Sequence, residues 1–151
     1  MRKTAVRSLI LFALAACLAV PAMAQEGHPL AGTWYGTYGT GGSPGTDLTI
    51  VMKWDGRQVT GEIHPGPNAI PLTSVVLDIT PGAPPPEGQG STAATPPKFH
   101  VTFEASLPNA AGSTAPVVFE GMINNPVAGN RTITGSWTRG SERGTFEIRR
   151  L

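Results

Sequence analysis

From residue 30 onward, apolar and polar residues alternate in short runs separated by glycine, proline and asparagine. In the first run, 30–38, one parity carries Leu30, Gly32, Trp34, Gly36 and Tyr38, and the other Ala31, Thr33, Tyr35 and Thr37. A period of two marks a half-buried strand, because successive side chains leave opposite faces. A unit with glycine between two apolar residues recurs at Val59-Thr60-Gly61-Glu62-Ile63, Phe119-Glu120-Gly121-Met122-Ile123 and Ile133-Thr134-Gly135-Ser136-Trp137. Strands that each set a glycine among inward residues predict a sheet that curls sharply, bending where no side chain fills its concave side.

The remaining runs follow the same alternation. Residues 48–54 place Leu48, Ile50, Met52 and Trp54 on one face and end at Asp55-Gly56. That dipeptide is a strong hairpin signal, since both turn positions take positive φ. The return run, 58–64, turns Val59, Gly61 and Ile63 inward and Glu62 and His64 outward. Residues 72–79 carry Val75, Leu77 and Ile79 on one face, and 98–105 carry Phe99, Val101 and Phe103. Three more runs, 116–123, 131–138 and 145–151, put Val117, Phe119, Ile133, Trp137, Phe146, Ile148 and Arg150 inward, with residues 139–144 read as a hairpin loop. Between the fourth and fifth runs, residues 81–97 are rich in Pro and Gly and hold no large apolar side chain, so they read as a disordered loop. The prediction is all-β: eight antiparallel strands, joined mostly by short turns, closed as an up-and-down barrel. Closure also removes the exposed edges along which sheets aggregate.

The N-terminus adds a compartment. Arg2, Lys3 and Arg7 precede an apolar stretch from 8 to 20, and Ala22-Met23-Ala24 forms an A-x-A cleavage site. Residues 1–24 therefore read as a signal peptide, residues 25–151 as one exported domain, periplasmic or extracellular. The apolar stretch is too short to span a membrane. Without residues 1–24 the chain has eight basic and ten acidic residues, a net charge of −2, which removes the basic footprint nucleic-acid binding needs. The single cysteine, Cys17, lies in the signal, so the exported domain is expected to hold together without disulfides or thiolate metal sites. Leu14-Ala15-Ala16-Cys17 also resembles a lipobox, which gives acylation at Cys17 as a minor alternative to soluble export.

Gly32-x-Trp34 on the first strand, Ile70-Pro71-Leu72-Thr73-Ser74-Val75, Gly135-Ser136-Trp137 and the closing Phe146-Glu147-Ile148-Arg149-Arg150 resemble a lipocalin-like (calycin) pattern. The nearest likeness is to small exported bacterial β-barrel domains of the kind also found ahead of some serine hydrolases. The resemblance spans nearly all of residues 29–151, and each motif is short. It implies an eight-stranded barrel in which Gly32, Trp34 and Arg150 close one end, with the arginine lying across the tryptophan. The avidin-like opening lacks the biotin-contacting pattern that follows it in avidin.

Candidate chemistry is sparse. His64 and His100 share outward parity with Glu62 and Glu104, as decoration of a wet barrel face would also give, and no metal or other cofactor is expected. Ser74 and Asp78 share a strand face but lie in no Gly-x-Ser-x-Gly elbow, and paired carboxylates fall at outward positions, so no enzymatic activity is expected. Trp34, Tyr38, Trp54, Phe103 and Trp137 are the candidate ligand-binding residues, as an aromatic set of inward parity. The leading expectation is a non-catalytic barrel holding a small apolar molecule in its mouth. The alternatives are a structural or protein-interaction module with a filled barrel, and a stand-alone accessory domain of a hydrolase.

Overall fold

The computed structural model describes residues 27–41, 45–64, 66–84, 94–109, 112–127 and 129–151. The expected signal peptide, Cys17 and the 85–93 stretch of the Pro/Gly-rich loop lie outside the described residues. Eight strands follow one another: β1 (Gly32–Gly39), β2 (Thr46–Trp54), β3 (Val59–Ile63), β4 (Ile70–Thr80), β5 (Lys98–Pro108), β6 (Thr114–Asn124), β7 (Thr132–Arg139) and β8 (Glu142–Arg150). Each pairs antiparallel with its neighbours in sequence, and β8 returns to β1 to close the barrel, Trp34 opposite Arg150 and Tyr38 opposite Phe146. There is no helix among the described residues.

The alternation read from the sequence sets the inside. Trp34, Leu48, Ile50, Ile63, Val101, Phe103, Val117, Phe119, Ile133 and Ile148 are fully buried, and all occupy inward parity. Glycines let neighbouring strands approach where the wall bends. A Cβ at Gly36 would fall on the Glu147 carbonyl oxygen and within 2.7 Å of the Ile148 Cα, so no side chain fits there. Gly121 and Gly135 face each other across β6 and β7, where a Cβ on Gly135 would lie 2.5 Å from the Gly121 Cα.

The barrel has two rims. The lower rim is where β1 begins and β8 ends, with the β2–β3 hairpin beside them; the upper rim is where β1 ends and β8 begins. At the lower rim the Asp55 carboxylate accepts hydrogen bonds from the Arg57 and Gln58 amides at 2.8 Å each, which fixes the hairpin and holds the carboxyl below its ordinary value. At the upper rim the β7–β8 connection is shorter than the six-residue loop expected from 139–144. Arg139 pairs with Glu142 and Trp137 with Gly144, leaving only Gly140 and Ser141 to turn the chain. Gly140 has φ +60°, and a glycine at the first central position suits a two-residue hairpin.

The barrel is unequal around its circumference. β3 and β4 share only two register pairs, Glu62 with Pro71 and Ile63 with Ile70. The causes are local: Pro71 has no amide to donate, and a bulge follows at once, the β4–β5 register shifting between Leu72 and Ser74. A bulge adds an unpaired residue and increases twist, turning β4 away from β3. It also switches the strand's inward parity, from Ile70 and Leu72 to Val75 and Leu77, while Ile79, expected inward, is 53% exposed beyond the core. None of the eleven residues of β4 is fully buried.

Candidate functional site

The interior is an aromatic stack. Phe103 and Phe119 lie face to face with centroids 4.7 Å apart, and Phe146 meets both edge-on at 5.6 and 5.3 Å. Tyr38 caps this group from the upper rim, edge-on to Phe119 at 5.7 Å and to Trp137 at 5.5 Å. These geometries are the offset and edge-to-face ones that ring quadrupoles favour. The Trp137 indole N–H donates to the Gly39 carbonyl at 3.1 Å, and the Arg139 guanidinium lies over its ring at 5.7 Å. Arg139 also pairs with Glu142 at 2.9 Å and donates to the Pro108 carbonyl at 3.3 Å, so the upper rim is tied on both sides of the tryptophan.

The lower rim is closed by the approach to β1. Leu30 is fully buried, and its carbonyl accepts the Trp34 indole N–H at 2.8 Å. Arg150 reaches across the first strand, its guanidinium against Gly32: a Cβ there would be 2.8 Å from Nε. Outside Leu30, the His28 imidazole stacks on Trp54 at 4.5 Å, and partial burial lowers its pKa from 6.5.

The five aromatic residues singled out from the sequence are therefore distributed, not gathered at one mouth. Trp34 is buried at the lower end, Phe103 lies mid-barrel, and Tyr38 and Trp137 plug the upper end. Trp54, 42% exposed at the lower rim, is the one of the five open to solvent. His64 and His100 are also separated. β3 stops at Ile63, His64 turns away with φ +51°, and His100 lies opposite Asp78 on β5. Among the described residues no group of three or more His, Cys, Asp or Glu could hold a metal ion.

Two features were missed from the sequence. One is Arg131, nearly buried at the lower rim, where it donates to the Pro29 carbonyl at 3.3 Å. Its parity with Ile133 was legible, and only the convention that arginine faces water hid it. The other is the seam between β3 and β4. Beyond Pro71 the strands part around a cleft of about 360 Å³, lined by residues 58–60 on one side and 72–75 on the other. Val59, Ile70, Leu72, Val75, Leu77 and Phe99, all half-buried against the core, surround this side of the barrel. From residue 73 to 80, β4 pairs with β5 on one side and, among the described residues, with no strand on the other, where β3 stands across the cleft from 73–75. Its exposed apolar residues are Val76 and Ile79, one on each face.

A second hollow, of about 430 Å³, lies on the outer wall between Thr37, Thr134, Thr145 and Glu147. No helix of the described residues is long and apolar enough to cross a membrane. No family model, curated protein or solved structure matches the chain, so its placement among closed, eight-stranded, antiparallel up-and-down barrels of lipocalin-like form rests on strand order and register.

Proposed function

We propose that this chain is an exported, non-catalytic interaction module that accepts an extended peptide along the open edge of β4. The observation that carries this reading is the two-pair seam between β3 and β4, which leaves eight residues of β4 unpaired on one side among the described residues. An unpaired strand edge offers a row of amide and carbonyl groups, and strand addition to such an edge is a general mode of peptide recognition. Eight residues at about 3.3 Å each give an edge roughly 26 Å long.

The flanking side chains define the occupant. Toward the barrel, Val75 and Leu77 lie beside the cleft half-buried, which favours apolar residues at alternate positions of the incoming strand. On the outer face, Glu62, Asp78, Glu104 and Glu120 of β3–β6 outnumber Lys53 and Lys98 nearby, which favours basic residues at the positions between. The occupant is thus an extended segment alternating apolar and basic residues. Fluorescence polarisation with labelled eight-residue peptides tests this directly. A Leu/Lys alternating peptide should bind and slow hydrogen exchange across 73–80, and a Leu/Glu peptide should bind more weakly. Equal binding of both, or no added protection on β4, overturns the proposal.

A second reading, a small apolar ligand at the mouth, draws support from Trp54 alone, since the other four aromatic residues already serve as packing. It predicts that a fatty acid or hydrophobic dye quenches Trp54 emission, and that Trp54→Ala abolishes the binding.

A further inference from the structure

We infer that the lower rim carries a binding site for a small oxyanion, a carboxylate or a phosphate, held between Arg131 and Arg150. This is independent of the strand-accepting edge. It rests on two arginines opposed where β7 begins and β8 ends, with no described carboxylate within ion-pair distance of either.

Register places them. Thr132 pairs with Arg149 and Ile133 with Ile148, and one step further the Arg150 amide donates to the Arg131 carbonyl at 2.9 Å. Arg131, immediately before β7, and Arg150 on β8 are therefore opposite each other. They share the parity of Ile133 and Ile148, the last fully buried pair above them. Directly opposed side chains have Cβ atoms about 5 Å apart, and like charges there repel.

No described acidic residue pairs with either guanidinium. The ion pair among the described residues is Arg139 with Glu142, at the other rim. Arg131 is only 9% exposed, its guanidinium donates to the Pro29 carbonyl, and its buried Nε has no partner among the described residues. Arg150 lies against Gly32, where the missing side chain leaves room for a planar cation. Leu151, whose amide is held by the Thr33 carbonyl, is 76% exposed.

Burying a guanidinium beside another without a counter-charge is costly. An oxyanion between them removes the repulsion and accepts the paired N–H bonds that a guanidinium offers in a fixed fork. The fork matches planar carboxylate and tetrahedral phosphate alike, so the chemistry is shared and the titration separates the two.

Isothermal titration with inorganic phosphate and with acetate, at constant ionic strength set by chloride, tests the site in the full domain. Binding of either anion is expected, on the order of millimolar or tighter, and the better binder identifies the class. Arg150→Met, at a half-exposed position that folding should tolerate, is expected to weaken it about 10- to 100-fold, the loss of charged hydrogen bonds. Arg131→Lys keeps the charge but not the fork and should weaken it less than Arg131→Met. Absence of binding by the wild-type domain, or equal affinity in wild type and Arg150→Met, overturns the inference.

Discussion

Phe119→Ala is the sharpest test of a filled interior. Phe119 is fully buried and in ring contact with Tyr38, Phe103 and Phe146. Removing a buried phenyl group forfeits its transfer free energy and leaves a cavity, together typically about 3–5 kcal/mol. The three ring contacts, each worth roughly 0.5–1.5 kcal/mol beyond area, put this site in the upper half of that range. A loss of about 4 kcal/mol is expected. For a domain of this size that corresponds to a Tm lower by on the order of 15 °C. Urea unfolding followed by tryptophan emission measures it, with the m-value unchanged if the variant still folds in two states. The vacated space is apolar and enclosed, so it should stay dry and admit benzene or indole, as engineered apolar cavities do. Benzene should then raise the Tm of the variant and leave the wild type unmoved. A loss below about 1.5 kcal/mol, or equal benzene stabilisation of wild type and variant, would refute the reasoning, because both require a lumen that was already open.

Other outcomes follow from single sites. Gly36→Ala places a methyl group on the β1–β8 backbone and should cost several kcal/mol, roughly what overpacking or an unfolded closure exacts; retention of wild-type Tm rules out the close approach. Glu142→Gln at the exposed upper turn should change stability by less than about 1 kcal/mol, and a larger loss by urea titration would mean the pair is shielded from water. His28, whose pKa burial lowers, binds protons more weakly folded than unfolded. Its contribution to stability is therefore complete above pH 6.5 and declines as pH falls through the lower folded value. NMR titration of the imidazole should give a midpoint below 6.5, and a midpoint at or above it contradicts desolvation of the ring as the dominant influence.

The parity of each run was enough to place the core, because a period of two ties every side chain to a face and a one-residue error would have turned Trp34 and Trp137 to water. The glycines likewise announced curvature. What the alternation could not convey was phase change within a strand. Val75, Leu77 and Ile79 were legible as one face, but Leu72 keeps the opposite parity and still points inward, because the bulge between Leu72 and Ser74 inserts a residue. The two-residue turn at Gly140 was masked by the polar residues around it, which look like loop but are the wet face of a hairpin. Candidate chemistry suffered in the same way. Inward parity joined five aromatic residues into one group, whereas depth along the barrel axis, which depends on strand stagger, separates them. Arg131 escaped notice because burial of a cation depends on the segment crossing over it, a long-range contact with Pro29.

The scarcity of bonds between β3 and β4 has a bearing on how the cylinder comes apart. Cut there, the wall unrolls into a continuous ribbon running β4 to β8 and on through β1 to β3, losing two rungs while every other ladder stays whole. Transient opening should start along that line at a small fraction of the global unfolding free energy, with β6, β7 and β8 yielding last. A protein laced this way unbuttons before it melts.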